Sequence, residues 1–209
     1  MTPDILEPKL RRAAIMPIVQ PRSVDFVLSL VAELAAGGAE AIEIVMRSEA
    51  ALPAIEACRR DFPELLIGAG TILTNEHYDA AVQAAALFGI SPGFLPSVCA
   101  HASKGPITLV PGVQTASEVM AAQAAGFDLL KFYPSEPAGG TVVLADFANI
   151  FTSATFMPSG KIQLSHLAGY ARLRNITSVG GSWMYAEGST ESVRDRMAAS
   201  LAAMRSVRG

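Results

Sequence analysis

A single lysine interrupts a strongly apolar stretch of the chain. Lys131 lies between Leu130 and Phe132 in the segment 129–133, which ends at Pro134 and is typical of a buried β-strand. Burying an amine without a partner disfavours its charged form, and a neutral amine is the nucleophile that forms a Schiff base with carbonyl substrates. The simpler interpretation is a strand-end lysine whose stem packs while its ammonium group reaches water.

A glutamate occupies a similar apolar setting earlier in the chain. Glu43 is flanked by Ile42 and Ile44 in a run that ends at Arg47. Because side chains alternate along a strand, Glu43 and Arg47 are expected to share one face. A glutamate between two isoleucines is unusual at a surface. It would either pair structurally with Arg47 or act as an acid/base beside a nucleophile.

The same alternation places Leu129, Lys131 and Tyr133 on one face of their strand. If the sheet closes on itself, Glu43 on the second predicted strand faces Lys131 on the sixth across its interior. An amine nucleophile with an acid/base close by provides the parts of a Schiff-base enzyme.

The elements that must position these residues form a regular series. The predicted strands cover residues 13–19, 41–46, 65–67, 87–90, 107–110, 129–133, 154–157 and 177–179. The predicted helices cover residues 1–12, 23–36, 48–60, 75–85, 95–103, 116–125, 142–151, 164–173 and 189–207, with Ser23 and Ser48 as N-caps.

Eight strand–helix units with continuous apolar strands predict a parallel sheet that is buried on both faces. The expected fold is therefore α/β, a (β/α)8 TIM barrel with an extra N-terminal helix, in a single domain that spans residues 1–209. A doubly wound sheet is the alternative. It is disfavoured because no G-x-G-x-x-G follows the first strand, whereas glycines follow nearly every strand.

Polar residues at the carboxyl ends of the strands are the site candidates in a barrel. Thr71 supplies a hydroxyl after the third strand, and Pro92 shapes the rim after the fourth. The loops after strands seven and eight contain residues 159–161 (Ser-Gly-Lys) and 180–182 (Gly-Gly-Ser). In this fold, that pair of loops often binds phosphate through backbone N–H groups, which glycines allow to approach closely.

The composition is that of a protein with a large core and no strongly charged surface. Of 209 residues, 51% are hydrophobic and 17% are charged, with a formal net charge of -3. Disorder is therefore excluded, and no basic footprint for nucleic acid is present. No run is long enough to span a membrane, and residues 1–12 carry no secretory signal.

Cysteine and histidine usage points to neither a disulfide framework nor a metal site. Two isolated cysteines, Cys58 and Cys99, favour a reduced, cytoplasmic setting. His77, His101 and His166 are scattered without metal-ligand spacing, so no metal is expected.

Six segments in order resemble the 2-keto-3-deoxy-6-phosphogluconate (KDPG) aldolase family, also called KDPG/4-hydroxy-2-oxoglutarate aldolases. These segments are residues 42–49, 68–71, 90–93, 111–112, 131–136 and 180–183. The resemblance implies a class I aldolase on a TIM barrel, usually a homotrimer, that needs no cofactor and acts on a small keto-acid sugar phosphate.

The resemblance also implies roles for individual residues. Lys131 matches the lysine that forms the Schiff base, and Glu43 matches the general acid/base. The part of the site around pyruvate is matched by Arg47, Thr71, Pro92, Tyr133 and Ser159, and the phosphate site by Gly160, Gly181 and Ser182. Lys161 has no match in the family pattern but could add a cation to the phosphate site.

The chain departs from the family pattern after the seventh strand. Residues 158–162 read Pro-Ser-Gly-Lys-Ile, where the family more often has Pro-Thr-Gly-Gly-Ile. Lys161 would either strengthen phosphate binding through a charge-assisted contact or obstruct the site and shift the preferred aldehyde. Tyr133 stands where the family more often has phenylalanine, and Gln114 stands where a small hydroxyl residue is common.

The expected reaction is reversible cleavage of 2-keto-3-deoxy-6-phosphogluconate into pyruvate and glyceraldehyde 3-phosphate. A sister aldolase for the galactonate epimer or for 4-hydroxy-2-oxoglutarate is the nearest alternative. A barrel isomerase or synthase would not need Lys131, and a non-catalytic sugar-phosphate-binding barrel would have no reason to keep Glu43 and Lys131 together.

Overall fold

The computed structural model describes residues 1–186 and 191–208 and has an α/β fold. The helices are α1 (Pro3–Ala13), α2 (Val24–Ala36), α3 (Ala51–Asp61), α4 (Asn75–Gln83), α5 (Pro96–Ala102), α6 (Ala116–Ala124), α7 (Gly140–Ile150), α8 (Leu167–Ala171) and α9 (Val193–Arg208). The strands are β1 (Ile15–Val19), β2 (Ala41–Val45), β3 (Leu66–Gly70), β4 (Phe88–Ile90), β5 (Thr108–Val110), β6 (Gly112–Val113), β7 (Leu129–Phe132), β8 (Thr155–Pro158) and β9 (Val179–Gly181).

The strands form two parallel sheets that follow the order of the chain. One sheet has the order β5-β4-β3-β2-β1-β9, and the other has the order β6-β7-β8. Only Pro111 separates β5 from β6, and isolated parallel bridges join Phe156 to Ile176 and Ser159 to Gly180. A doubly wound sheet would reverse its strand order at a switch point, whereas here the last strand pairs with the first.

Alternation along the strands divides the buried side chains between two faces. The outer face packs on the helices and includes Ile42, Ile44, Leu130 and Phe132. The inner face carries a separate group of buried side chains, here called the inner cluster, to which α1 contributes. Its members are Leu6, Leu10, Ala13, Met16, Ala41, Leu66, Phe88, Ile90, Val110, Leu129 and Met157.

Some helix starts follow the expected capping chemistry and others do not. The Ser23 hydroxyl accepts a hydrogen bond from the Phe26 N–H group at 3.1 Å, as the sequence predicts. The predicted cap at Ser48 is wrong, since the N-cap of α3 is Ala50. The Ser48 hydroxyl donates instead to the Pro21 carbonyl at 2.8 Å, which ties the end of β2 to the loop after β1.

Several predicted boundaries shift because glycines that were read as turns pair as strands. Gly112 belongs to β6, and the last strand extends through Gly181, opposite Pro17. The predicted helix 164–173 is divided into a 3-10 turn and α8. Ser189, the predicted start of the last helix, lies outside the described residues, and α9 begins at Val193.

No helix in the described part of the chain is long and apolar enough to cross a bilayer.

Candidate active site

A buried ion pair lies at the carboxyl end of the inner face. Lys131 Nζ is 3.2 Å from Glu43 Oε1 and 3.4 Å from Glu43 Oε2. Glu43 is 0% exposed and Lys131 is 6% exposed, and no other charged residue is buried in residues 1–186 and 191–207. Two strands that are 88 residues apart in sequence thus place an amine beside a carboxylate.

This pair separates the interpretations that the sequence left open. Lys131 does not reach water as a strand-end lysine, and Glu43 pairs with Lys131 rather than with Arg47. Each charge compensates the burial of the other, so the amine has a partner that can also receive its proton.

Two glycines make room for this arrangement. A Cβ atom on Gly70 would overlap the Glu43 carboxylate, and one on Gly112 would overlap the backbone of Pro92. Gly112 is the strand partner of Lys131 in β6–β7, which brings Pro92 next to the lysine strand. The sequence contains both glycines in its motifs but gives no signal for this steric role.

Arg47 and Thr71 meet at the rim of the site. Both lie just beyond their strands, and Arg47 Nε donates to Thr71 Oγ1 at 3.1 Å. Thr71 has φ of 62°, a left-handed conformation that a β-branched residue adopts only under constraint. The exposed Arg47 side chain thus has one fixed contact and further N–H groups for an anion.

Tyr133 and Ser159 complete the surroundings of Lys131. The Lys131 ammonium group lies 5.5 Å from the centroid of the Tyr133 ring, within the range of a cation–π interaction. Ser159 is 1% exposed, and its hydroxyl has no hydrogen-bond partner within the described chain. Buried hydroxyls are normally satisfied, so Ser159 is available to a ligand.

The predicted phosphate residues follow β8 and β9, and their glycines also have structural reasons to be there. Gly160 and Lys161 have φ of 105° and 62°, so Lys161 holds a conformation that favours glycine. A Cβ atom on Gly181 would overlap the Trp183 ring. Ser182 and the Lys161 side chain are exposed.

Tyr185 is a residue near the site that sequence reasoning missed. Its hydroxyl donates to the Ile18 carbonyl at 2.5 Å and accepts from the Gln20 N–H group at 3.3 Å. Burial raises the pKa of Tyr185, so its phenol stays a donor. It fixes the segment after Ser182 to the end of β1, a contact between distant segments that no local pattern reveals.

The other candidates from the sequence do not join the site. Burial raises the pKa of Cys58 and Cys99 to about 11, so neither thiol is a reactive thiolate. His101 pairs with Asp79 at 2.7 Å near the surface. Nowhere in the described ranges do three or more histidine, cysteine, aspartate or glutamate side chains form a group that could hold a metal ion.

A cavity of about 460 Å³ lies at the opposite end of the inner face, beside Met1, and no buried charge lines it.

Comparisons with known proteins identify relatives across most of the chain. The family described as "Aldolase: KDPG and KHG aldolase" matches residues 6–198. A 2-dehydro-3-deoxy-phosphogluconate aldolase of Treponema pallidum is 37% identical over 175 residues, which cover 84% of this chain and 83% of the relative.

Solved structures show the same similarity. KDPG aldolase from Legionella pneumophila, with pyruvate captured as a covalent carbinolamine intermediate, matches with a TM-score of 0.86 at 30% identity. The match covers 98% of this chain and 98% of that structure. The 2-keto-3-deoxy-6-phosphogluconate aldolase of Zymomonas mobilis, solved with 3-phosphoglycerate, has a TM-score of 0.88 at 30% identity, with 96% of each chain covered.

Proposed function

Because the chain belongs to the KDPG and KHG aldolase family, we propose that it is a class I aldolase for 2-keto-3-deoxy-6-phosphogluconate. It cleaves this keto acid reversibly into pyruvate and glyceraldehyde 3-phosphate. The observation that carries the proposal is the buried pair in which Lys131 Nζ lies 3.2 Å from Glu43 Oε1. A lyase that works through an imine needs a nucleophilic amine and an adjacent group that moves protons.

The first half of the reaction forms the imine. Lys131 transfers a proton to Glu43, and the neutral amine attacks the C2 carbonyl of the keto acid. Glu43 returns the proton so that the carbinolamine oxygen leaves as water, which produces a protonated imine. Direct contact supports this assignment, because the Glu43 carboxylate lies within hydrogen-bond reach of the Lys131 amine.

The second half breaks the carbon–carbon bond. Glu43, directly or through a water molecule, removes the proton of the C4 hydroxyl, and the electrons of the C3–C4 bond move into the protonated imine. Glyceraldehyde 3-phosphate leaves, and an enamine remains on Lys131. The enamine is protonated at C3, and water then hydrolyses the resulting imine to release pyruvate and the free lysine. The imine is the electron sink, so these steps call for no cofactor.

The residues around the pair supply substrate recognition. The Arg47 guanidinium, the Thr71 hydroxyl and the unpartnered Ser159 hydroxyl bind the carboxylate of the pyruvate part. Tyr133 packs on the substrate, and Pro92 limits the rim. Backbone N–H groups at Gly160 and Gly181, with Ser182 and Lys161, bind the phosphate.

The wider expectations belong to the same proposal. The sheets close into a single-domain (β/α)8 barrel, which is supported by pairing of β9 with β1 and by the bridge between Ser159 and Gly180. The chain works as a homotrimer in the cytoplasm. Family membership and the exposed apolar side chains of Leu73 and Leu95 support the trimer, and two free buried cysteines suit a reducing compartment.

A sister activity is the second candidate, because Lys161 occupies the position of the family's second glycine. A lysine there favours an aldehyde half with a different anionic group, as in 4-hydroxy-2-oxoglutarate, which lacks phosphate. Comparing turnover of the two keto acids distinguishes these candidates. A non-catalytic sugar-phosphate-binding protein is disfavoured, since a buried amine–carboxylate pair contributes little to stability compared with apolar residues of similar volume.

Borohydride reduction in the presence of pyruvate tests the proposal. The expected product is a protein with one covalent pyruvyl adduct, located on Lys131 by peptide mass spectrometry. The matched control is the same reaction without pyruvate, which should leave the mass unchanged. An adduct only on Lys161, or no adduct at all, contradicts the Schiff-base assignment.

A further inference from the structure

A buried polar network lies directly beyond the lysine strand, and the steps above do not use it. The Ser135 and Tyr170 hydroxyl groups are 2.7 Å apart, and both residues are fully buried. The Tyr170 hydroxyl also donates a short hydrogen bond to the Glu136 carboxylate. Three polar side chains from two separate segments are thus bonded to one another, and the partly exposed Glu136 carboxylate also lies 3.5 Å from His166 Nδ1.

Backbone hydrogen bonds connect this network to the loop after β8. The Ser135 N–H group donates to the Ser159 carbonyl at 2.7 Å, and the Glu136 N–H group donates to the Gly160 carbonyl at 3.2 Å. Residues 135 and 136 follow Lys131 closely, so these bonds fix the start of the 159–161 loop against the end of the lysine strand.

Tyr170 bonds to the same two residues from an element that follows the loop. It lies on α8 (Leu167–Ala171), which follows the loop in sequence. Its bonds to Ser135 and Glu136 bring that helix back to the segment that already binds the loop backbone. The 159–161 loop is thus bonded to residues 135–136 through backbone groups, and α8, which follows the loop, is bonded to the same residues through the Tyr170 hydroxyl.

The backbone packs closely against this network. A Cβ atom on Gly140 would lie 3.0 Å from both Glu136 Oε1 and the Tyr170 hydroxyl oxygen, so a side chain there would crowd both groups. Burial, and next the hydrogen bond to Glu136, raise the pKa of Tyr170, so the phenol stays protonated and donates. A hydrogen bond to a carboxylate is roughly twice as strong as one between neutral groups.

We propose that Glu136 and Tyr170 are positioning residues that set the distance between the Lys131 amine and the 159–161 loop. Their side chains are bonded to each other, and Tyr170 is also bonded to Ser135, rather than to Lys131 or Ser159. They fix the loop that carries the Ser159 hydroxyl and the Gly160 and Lys161 backbone. What the loop binds rests on the proposed function, whereas the mechanical role of the network does not.

The decisive experiment compares Tyr170→Phe with Tyr78→Phe. Tyr78 is a matched control, because it is also buried and donates to the Ile107 carbonyl at 2.7 Å, away from the site. In Tyr170→Phe we expect the KM for the phosphorylated keto acid to rise about fivefold to tenfold, with borohydride trapping on Lys131 at saturating pyruvate unchanged. Tyr78→Phe should leave both unchanged.

A conservative variant separates positioning from general stability. Glu136→Gln keeps an oxygen that can accept the Tyr170 hydrogen bond, so it should restore most of the affinity that Glu136→Ala loses. Equal losses in Glu136→Gln and Glu136→Ala, at equal melting temperature, would overturn the assignment of Glu136.

Amide hydrogen exchange supplies a readout that needs no activity. Peptides that cover residues 134–136 and 159–163 should exchange about fivefold faster in Tyr170→Phe and at the wild-type rate in Tyr78→Phe. If the two variants change exchange and KM equally, the network does not position the loop. If the wild type fails to cleave the keto acid, the proposed function is wrong, and the exchange comparison still decides the role of the network.

Discussion

The two ends of the inner face are built from the same strands but have opposite chemistry. On β2, Ala41 belongs to the inner cluster, whereas Glu43, two residues later, forms the buried pair. On β7, Leu129 and Lys131 show the same change. Two residues advance a strand by roughly 7 Å, so the transition from apolar packing to a buried ion pair takes place within one layer of side chains.

The difference shows how stability and chemistry are separated in this fold. The apolar end is covered by α1, whose Leu6 and Leu10 are fully buried against the strands. It excludes water from beneath the pair without contributing a polar group. The other end has loops instead of a covering helix, and these loops can carry ligand groups. Changes at the two ends should therefore affect different measurements.

Replacing Lys131 should have the largest effect. Lys131→Arg keeps a positive charge beside Glu43 but removes the amine that can form an imine, because guanidinium is not deprotonated. We expect turnover to fall by about 10⁴-fold or more, with no pyruvate trapped by borohydride. The exposed Lys104→Arg is the control and should behave as wild type. Residual turnover in Lys131→Arg above a tenth of wild type would remove the imine from the mechanism.

Replacing Glu43 should have the next largest effect. Glu43→Gln keeps the shape of the side chain and loses its ability to move protons, so turnover should fall by about 10²- to 10⁴-fold. Some pyruvate should still be trapped on Lys131, because the amine remains. Steady-state kinetics and borohydride trapping measure the two effects separately, and unchanged turnover would exclude Glu43 as the acid/base.

At the apolar end, a smaller change should affect stability and leave the chemistry intact. Leu10→Ala should lower the free energy of unfolding by about 2–5 kcal/mol, through lost burial and the cavity that remains. The kcat of the folded protein should stay within about twofold of wild type. On the same helix, Ile5 is 52% exposed, so Ile5→Ala is the control in denaturant titrations and should change little. A large loss of kcat in Leu10→Ala would show that the two ends are not separable.

Lys161 should give the smallest effect and sharpen the description of the open end. Lys161→Gly removes a charge and relieves the left-handed backbone strain, so we expect the KM for the phosphorylated keto acid to rise about tenfold. Stability should not fall. The unphosphorylated keto acid is the internal control, and its KM should be unchanged. An equal change for both keto acids would mean that Lys161 does not recognise phosphate.

Most of the fold followed from local patterns in the chain. Apolar runs separated by glycine and proline predicted the order of strands and helices, and alternation within two of those runs predicted that Glu43 and Lys131 point inward. The errors are local as well. Ser48 was predicted to cap α3 because it stands before a helical pattern, but its hydroxyl is used by Pro21, a residue that only folding brings near.

The site required more than these patterns. Nothing near Gly70 in sequence indicates that a side chain at this position would overlap the Glu43 carboxylate. Tyr170 lies 34 residues from Glu136, and neither segment predicts the hydrogen bond between them. Contacts of this kind depend on distances between elements, which side-chain type and spacing leave undetermined.

By itself, the sequence determined which residues are buried, which face of each strand they occupy, and which family of lyases the chain resembles. The first two properties follow from hydrophobicity and from the alternation of side chains along a strand, whereas the resemblance rests on six sequence motifs. Only the tertiary structure decided that the buried lysine has the buried glutamate as its partner, at 3.2 Å. The physical reason is that a burial pattern determines which side chains of one strand face inward. An ion pair depends instead on the relative position of two strands across the interior.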